Sequence, residues 1–256
     1  MLGGGYFFNM IRIFLGNIGS GKTAMAIREM IHSNPNMKTY SNIITKKQVR
    51  NTTISAGMII KKEVMKIKKT GEAVYKKTLN VEYWKKVQEK EGAINVILDE
   101  AHTIINPRRS MSDTNKVMTD FLALLRRILG NSPAGYGQLT LITQLDRRID
   151  VIAVEMATNV RFHLCHYLKT CQKCGNVYRE NNDHPDPIFQ CPNCSSWDIV
   201  KHSHIIEVWE FSNMDKYKAW DEFRYRTYFK HYYVNDIENY FSLYNTLQWD
   251  NLISDD

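Results

Sequence analysis

The pattern of apolar and polar positions predicts an α/β chain in which short buried strands alternate with amphipathic helices. An apolar run at 10–15 and a β-rich run at 39–44 are the first two predicted strands, and the segment between them repeats apolar residues at helical spacing. Further predicted strands lie at 94–98, 138–143 and 158–164. A long amphipathic helix between two of them is predicted to end at Gly130. This order favours a mainly parallel sheet flanked by helices.

A lysine-rich segment interrupts the alternation. Runs at 58–67 and 73–79, separated by a turn that contains Gly71, predict a β-hairpin inserted into the core, and a helix capped by Asn80 follows it. Lysines far outnumber acids from 46 to 90. A basic hairpin can contact nucleic-acid phosphates, but a solvated lysine-rich flap has the same pattern, and the sequence leaves both interpretations open.

Composition changes this picture only slightly. The chain of 256 residues has a formal net charge of +7 and a pI near 9.0, which suits a polyanionic partner but is also common for an ordinary solvated surface. No apolar run approaches the roughly 20 residues that a membrane helix needs. The N-terminus lacks the basic region and the cleavage-like site of a secretory signal. We therefore expect a soluble protein of the cytoplasm with no transmembrane segment.

The loop after the first predicted strand carries the strongest chemical signal. It fits the pattern G-x-x-x-x-G-K-[ST] at Gly16, Asn17, Ile18, Gly19, Ser20, Gly21, Lys22 and Thr23. Glycines let the backbone turn successive N–H groups toward an anion, and the N-terminus of the following helix adds a positive dipole end. We expect Lys22 to reach the β- and γ-phosphates of ATP and the Thr23 hydroxyl to hold Mg²⁺.

Two adjacent carboxylates end the predicted strand at 94–98. Asp99 is expected to bind Mg²⁺ through water beside the phosphate loop, and Glu100 is expected to orient and deprotonate the attacking water. Neighbouring residues of an extended chain point in different directions, which suits two different roles. The sequence therefore predicts a site that hydrolyses ATP.

Three further polar residues extend this prediction. Arg126 and Arg127 lie in the last turn of the long predicted helix. Cations are favoured at a helix C-terminus by the dipole alone, so a structural role and an arginine finger both stay open for them. Gln144 follows the strand at 138–143 and is expected to sense or align the attacking water.

Four of the five cysteines form two C-x₂-C pairs that are sixteen residues apart. They are Cys171, Cys174, Cys191 and Cys194. This spacing is typical of a zinc ribbon, and four thiolates close a tetrahedral Zn²⁺ site with no open position, so we expect a structural metal ion. A disulfide framework is the alternative, which fits an intracellular protein less well.

These signals divide the chain into parts. We predict a disordered lead-in at 1–9, an ATPase core at 10–167 with the basic insertion at 45–90, a zinc ribbon at 168–200, and a C-terminal part at 201–256. The last part is expected to hold a strand at 205–211 and an aromatic helical region. Basic residues interleave with its aromatic residues, which suits stacking on bases, but packing in a core or subunit interface explains the pattern as well.

The order of these motifs resembles one branch of P-loop motors. Asp99-Glu100-Ala101-His102 spells the DEAH box of a helicase, but the sequence has no second motor lobe with its own arginine motif. The run from Asp99 through Arg126-Arg127 to Ile142-Thr143-Gln144 instead resembles the FtsK/HerA branch. Within it, the run looks like the zonula-occludens-toxin-like and viral genome-packaging ATPases. The resemblance covers residues 10–166 and implies a P-loop NTPase fold of the RecA/ASCE type.

The resemblance implies a homo-oligomeric ring, a hexamer or similar, that uses ATP and Mg²⁺ to move double-stranded DNA. Arg126 or Arg127 would complete a neighbouring subunit's site. The expected task is packaging a viral genome in the host cytoplasm, with a capsid protein as partner and the virion as a second location. The membrane helix usual in toxin-like members is missing, which favours packaging over extrusion. The alternatives are an assembly ATPase recruited to a membrane by a partner, and a nucleotide-switched zinc adaptor that binds DNA or protein.

Overall fold

The computed structural model describes residues 11–101, 113–132, 135–144, 151–181 and 189–245. Its strands are β1 (Ile11–Leu15), β2 (Lys38–Ser41), β3 (Asn51–Thr53), β4 (Ile60–Ile67), β5 (Ala73–Leu79), β6 (Ile94–Leu98), β7 (Asn131–Ser132), β8 (Gly135–Tyr136), β9 (Gln138–Ile142), β10 (Asn159–Cys171), β11 (Val177–Asn181), β12 (Ile199–Phe211) and β13 (Lys230–Val234). Its helices are α1 (Lys22–His32), α2 (Ala56–Ile59), α3 (Val81–Glu91), α4 (Asp113–Leu129), α5 (Val151–Glu155), α6 (Met214–Phe223) and α7 (Glu238–Phe241). Among these helices, none is both long enough and apolar enough to cross a membrane. The predicted lead-in at 1–9 and His102 lie outside the described residues.

One mixed sheet organises the described chain. Its strand order is β13-β12-β10-β1-β9-β6-β2-β3, and β11 pairs with β10 beyond the end of β1. The strands from β10 to β3 run parallel, whereas β11, β12 and β13 are antiparallel to their neighbours. β9, which leads to Gln144, lies between β1, which feeds the phosphate loop, and β6, which leads to Asp99. This arrangement confirms the predicted α/β P-loop fold.

Alternate residues of the central strands enter two apolar layers. In β1, Ile11, Ile13 and Leu15 belong to the layer that contains Trp84 of α3, whereas Phe14 belongs to the opposite layer, which contains α1. Side chains alternate between the faces of a strand, and both faces of a parallel sheet are covered. For this reason the central strands appear in the sequence as nearly continuous apolar runs.

The predicted basic hairpin is a separate two-stranded sheet formed by β4 and β5. The run predicted as a strand at 58–67 begins instead with the end of α2, and the strand starts at Ile60. All residues of β4 after Ile60 are exposed. As predicted, Asn80 caps α3, because its side chain accepts a hydrogen bond from the Tyr83 N–H at 3.3 Å. The hairpin therefore presents most of its lysines to solvent.

Strands β10 and β12 are longer than the predicted strands at 158–164 and 205–211. They pair antiparallel with each other from Val160↔Phe211 to Cys171↔Ile199. The added pairs include polar ones such as Lys169↔Lys201, which have no apolar periodicity for the sequence to reveal. Similarly, the strand predicted at 39–44 ends at Ser41. β10 and β12 run across positions 167 and 200, and the division of the chain at those positions stays a prediction.

The aromatic residues of the C-terminal part are divided between core and surface. Trp220 and Tyr228 pack against the apolar layer that contains α3. Phe223, Tyr225 and Phe229 are exposed, and the rings of Phe223 and Tyr225 stack with centroids 5.4 Å apart. Packing therefore explains some of these aromatic residues and leaves others accessible.

A buried ion network ties α1 to the strands beneath it. Glu29 of α1 pairs with Arg12 of β1 at 2.8 Å and with Arg161 of β10. The Arg161 Nε atom lies 3.2 Å from a carboxylate oxygen of Glu210 on β12. Burial acts to raise the pKa of Glu29, but the charges of Arg12 and Arg161 outweigh it and lower that pKa below its ordinary value. The C-terminal half of α1 is thereby fixed to the centre of the sheet.

Candidate active site and cysteine cluster

The loop between β1 and α1 turns through glycines in the left-handed region. The φ angle is 143° at Gly16 and 84° at Gly21. A Cβ atom at Gly16 would lie 2.4 Å from the carbonyl oxygen of His163, and one at Gly21 would lie 2.3 Å from the Ile206 side chain. Both positions therefore require glycine for conformation, and at Gly16 the backbone carbonyl of His163 also leaves no space for a side chain. This close packing on β10 and β12 fixes where α1 begins.

Lys22 is buried at the start of α1, and the loop itself holds its ammonium group. Nζ donates hydrogen bonds to the carbonyl oxygens of Gly16 at 2.7 Å and Asn17 at 2.8 Å, and it lies 3.2 Å from the Ser20 hydroxyl. A phosphate group in the loop offers oxygens to the same ammonium. Lys22 is therefore placed to exchange carbonyl contacts for phosphate contacts.

Thr23 and Asp99 form a polar pair at the buried end of the site. The Thr23 hydroxyl donates to Asp99 Oδ2 at 2.7 Å, and the Glu100 N–H donates to Asp99 Oδ1 at 2.8 Å. Burial raises the pKa of Asp99, and these two hydrogen bonds offset only part of the rise. A partly buried carboxylate beside a hydroxyl offers oxygen ligands that suit Mg²⁺, whose charge would favour the ionised carboxylate.

Glu100 and Gln144 meet at the carboxyl ends of β6 and β9. Gln144 Nε2 donates to Glu100 Oε1 at 3.4 Å. Glu100 is exposed and has a φ of 50°, an uncommon conformation for a residue with a Cβ atom. A carboxylate beside an amide can hold a water molecule and accept its proton. The pair is thus suited to activate a water molecule at the open side of the site.

Asn42 is a site residue that the sequence analysis does not identify. It directly follows β2, the neighbour of β6. Its side chain forms hydrogen bonds with both the carbonyl and the N–H of Asp99. Nδ2 donates to the Asp99 carbonyl at 2.8 Å, and the Asp99 N–H donates to Asn42 Oδ1 at 2.7 Å. The only feature that could have identified Asn42 is its position at the carboxyl end of a strand, because the carboxyl ends of adjacent parallel strands meet at one edge of the sheet.

His163 is a second residue that the sequence analysis does not identify. It is fully buried on β10, where its Nδ1 lies 3.2 Å from the Leu15 carbonyl oxygen. Burial lowers the pKa of His163 to about 3. The ring is therefore neutral at physiological pH and adds no charge beside the loop. Its local sequence does not distinguish it from an ordinary core histidine.

The structure brings together the side chains of Lys22, Thr23, Asp99, Glu100 and Gln144 at the carboxyl edge of the parallel strands. The two predicted arginines lie in the last turns of α4, which ends before Gly130 as predicted. Arg127 is exposed, and the side chain of Arg126 lies outside what the structure describes. Exposure is what an arginine acting on a neighbouring subunit requires, and that role stays a prediction.

The four predicted metal ligands form one compact cluster. The Sγ atoms of Cys171, Cys174, Cys191 and Cys194 all lie within 4.8 Å of one another. Two of the Sγ–Sγ distances, Cys171 to Cys194 and Cys174 to Cys191, are 3.6 Å. A disulfide needs about 2.05 Å. A tetrahedral Zn²⁺ site with Zn–S bonds of about 2.3 Å has sulfurs about 3.8 Å apart. The cluster therefore fits a metal ion and not a pair of disulfides.

Both cysteine pairs use the same turn. The Gly175 N–H donates to the Cys171 carbonyl at 2.9 Å, and the Ser195 N–H donates to the Cys191 carbonyl at 2.8 Å. Gly175 and Ser195 have φ angles of 71° and 54°. The pKa of the Cys174 thiol is lowered to about 6, first by the backbone N–H of Asn176. A lowered pKa favours the thiolate, which is the form that binds zinc.

We expect each chain to bind one zinc ion through these four thiols. In protein purified without chelator, the Cys171→Ser, Cys194→Ser double variant should reduce the zinc content from about one per chain to near zero, because two thiolates do not close the site. Elemental analysis measures this content. Cys165→Ala, which removes the buried thiol outside the cluster, is the control and should keep its zinc. Full zinc content in the double variant would contradict this ligand set.

Residues 10–132 match the protein family described as Zonular occludens toxin (Zot). The matched part contains the phosphate loop, Asp99, Glu100 and α4, whereas Gln144 and the cysteine cluster lie beyond it. The match confirms the resemblance over these residues. None of the curated proteins matches the chain.

Two solved structures are similar to the chain at low sequence identity. The N-terminal domain of zonular occludens toxin from Neisseria meningitidis is 15% identical with a TM-score of 0.48, over 93% of this chain and 100% of that chain. The genome packaging NTPase B204 from Sulfolobus turreted icosahedral virus 2, in complex with ATP-gammaS, is 14% identical with a TM-score of 0.38, over 60% of this chain and 74% of that chain. The fold assignment rests on the strand order and the phosphate loop, independently of these similarities.

Proposed function

We propose, from the geometry of the site and the motif order that resembles viral genome-packaging ATPases, that this chain is an ATPase that moves double-stranded DNA and packages a viral genome. The observation that carries the ATPase part of the proposal is the side-by-side arrangement of two pairs, Thr23 with Asp99 and Glu100 with Gln144. One pair suits a metal-bound phosphate and the other suits a water molecule. Hydrolysis of a nucleoside triphosphate needs both.

Each residue has a defined part in this reaction. Lys22 leaves the loop carbonyls and binds the β- and γ-phosphates, while Thr23 and Asp99 would hold Mg²⁺. When bound, Mg²⁺ neutralises charge on these phosphates. Glu100 accepts a proton from a water molecule aligned by Gln144, as the water oxygen bonds to the γ-phosphorus and the bond to the leaving ADP oxygen breaks.

Assembly into a ring is part of the proposal. A head-to-tail contact that closes on itself places one surface of each subunit against the nucleotide site of the next. Arg127 is exposed at the end of α4, and together with Arg126 it is the candidate to reach that site. A hexamer or similar ring would enclose DNA, with the subunits in the host cytoplasm or on the virion beside a capsid protein.

The basic hairpin is the proposed DNA contact. Lys66, Lys69 and Lys76 are exposed on β4, its turn and β5. Each lysine that neutralises a phosphate on binding releases a counterion, so it steepens the dependence of affinity on salt. The exposed rings of Phe223, Tyr225 and Phe229 offer a second surface that could contact the same DNA.

We expect linear double-stranded DNA to raise steady-state ATP turnover and to promote the ring in size measurements with ATP present. A Lys66→Gln, Lys69→Gln, Lys76→Gln variant should lose most of this stimulation. Its slope of log affinity against log salt should be shallower by up to about 3. A fluorescent duplex titrated at several salt concentrations gives the slope.

The matched control is Lys85→Gln, Lys86→Gln, which removes two exposed lysines from α3 outside the hairpin. It should bind DNA with a slope close to that of the unmodified protein. An unchanged slope in the hairpin variant would show that a part of the protein other than the hairpin contacts the DNA. Nucleotide-dependent DNA binding without any stimulated turnover would favour the zinc adaptor over the motor.

A phage assembly or extrusion ATPase is the second candidate, and the match to the Zot family favours it. Such an ATPase would act at a membrane through a partner that recruits it. Acidic lipid vesicles added in place of DNA separate the two candidates. Stimulation by vesicles with a membrane partner, and none by DNA, would favour assembly over packaging.

A further inference from the structure

The end of the described chain returns to the loop that contains Asn42. Residues 243–245 form a short antiparallel bridge with residues 44–46, which we call the C-terminal bridge. In it the Lys46 N–H donates to the Leu243 carbonyl at 2.9 Å, the Asn245 N–H donates to the Ile44 carbonyl at 3.3 Å, and Thr45 pairs with Tyr244. The bridge begins two residues after Asn42. It therefore restrains the segment from which the Asn42 side chain reaches the site.

The same C-terminal segment is also anchored to α1 and to the apolar layer around it. Tyr240 of α7 places its hydroxyl 3.0 Å from His32 Nε2 at the end of α1. Leu243 is buried in the apolar layer that contains α1, and Tyr244 packs against this layer. Burial raises the pKa of Tyr244 to about 12, and the charge of Asp99 adds to the rise.

The Asn42 side chain holds the backbone at Asp99, directly before Glu100. Its amide binds both the N–H and the carbonyl of Asp99, and that carbonyl belongs to the peptide that links Asp99 to Glu100. Glu100 has the uncommon φ of 50°, a conformation that persists only where surrounding contacts hold it. The orientation of this one peptide sets the directions of both carboxylates.

We propose that Asn42 is a positioning residue for hydrolysis and that the C-terminal bridge keeps it in place, so that turnover depends on residues 243–245. This inference rests on the proposed ATPase function. A residue that orients the ligands of a metal ion typically contributes 10- to 100-fold in activity. The bridge thus couples the C-terminal end of the described chain to the chemistry at the phosphate loop.

Two full-length variants test the proposal. Asn42→Ala removes both hydrogen bonds to Asp99, and Asn245→Pro removes the N–H that donates to Ile44. Asn245→Ala keeps that N–H and reports the effect of the side chain alone. Asn36→Ala is the matched control for Asn42→Ala, because Asn36 is an exposed asparagine in the turn after α1.

Three measurements are compared: ATP turnover, nucleotide affinity in EDTA, and amide hydrogen exchange of the peptide containing 96–101. Asn42→Ala should lose about 10- to 100-fold in turnover with little change in metal-free affinity. Its Asp99 amide should exchange about 5- to 10-fold faster, because its acceptor is gone. Asn245→Pro should change the same quantities in the same direction and by more than Asn245→Ala. Asn36→Ala should resemble the unmodified protein.

The possible failures are distinct. If the unmodified protein hydrolyses no ATP, the proposed function is wrong, and the exchange of the Asp99 amide still decides whether Asn42 orients this peptide. If the unmodified protein is active and Asn42→Ala matches it in turnover and exchange, the role of Asn42 is overturned while the ATPase stands. If Asn42→Ala loses activity but Asn245→Pro equals Asn245→Ala, the role of the bridge is overturned.

Discussion

Glu100→Gln is expected to lower steady-state ATP hydrolysis by about 10²- to 10⁴-fold while ATP and Mg²⁺ still bind, because the amide cannot accept the proton of the attacking water. The geometry supports this division of roles. Asp99 is held by Thr23 and Asn42 at the buried end of the site, whereas Glu100 is exposed and contacts Gln144. Turnover and nucleotide affinity, measured on the same preparation, separate the chemical step from binding.

Lys22→Ala is the contrasting variant and should lose nucleotide binding itself, since it removes the cation that the loop holds. Glu89→Gln, an exposed glutamate on α3, is the matched control for Glu100→Gln and should keep full activity. Hydrolysis by Glu100→Gln within a few-fold of the unmodified rate would remove Glu100 from its assigned role.

An Arg126→Ala, Arg127→Ala chain is expected to lose about 10³-fold or more in turnover with nearly unchanged ATP affinity, because the arginine acts in a neighbour's site. Activity of the unmodified protein should then rise more steeply than linearly with protein concentration. Exposure of Arg127 at the end of α4 is the structural basis. Steady-state assays across the assembly range measure both effects.

Mixing variants tests whether the arginine acts between subunits. The arginine double variant and Lys22→Ala are each expected to be nearly inactive alone. In a mixed ring about one quarter of the head-to-tail interfaces pair an intact loop with an intact arginine. Those interfaces should regain hydrolysis. The Lys85→Ala, Lys86→Ala variant also loses two exposed positive charges and is the control for the arginine double variant. If mixing restores nothing and specific activity is independent of concentration, an arginine acting between subunits is wrong.

The parts of the site that the sequence predicts are those built from contiguous residues. The phosphate loop lies in one run between a strand and a helix, and Asp99 with Glu100 directly follows an apolar strand. The cysteine cluster is similar, because each C-x₂-C pair closes its own turn. Such features depend on local backbone geometry, and so the residue pattern reveals them.

Other features depend on which strands become neighbours. Asn42 meets Asp99 across 57 residues because β2 pairs with β6, and no local pattern around Asn42 marks it. The outer halves of β10 and β12 have polar pairs without apolar alternation, so the predicted strand for β10 stops too early and the one for β12 begins too late. Ser195 has the same left-handed backbone conformation that Gly175 has in the first cysteine pair. A serine in the sequence does not predict this conformation, whereas a glycine can.

The length of β10 links the phosphate loop mechanically to the cysteine cluster. The end of β1 at the loop pairs with Phe162, and from there β10 continues for nine residues, about 30 Å, before it ends at Cys171. A metal ion would hold β10 and β12 together at the cysteine cluster, and pairing in the sheet holds them together beside β1. The two strands would then move as one rigid unit. A tilt of about 5° at the sheet displaces the far end of a segment about 30 Å long by about 2.6 Å. Small shifts at the phosphate loop would thus be enlarged at the cysteine cluster.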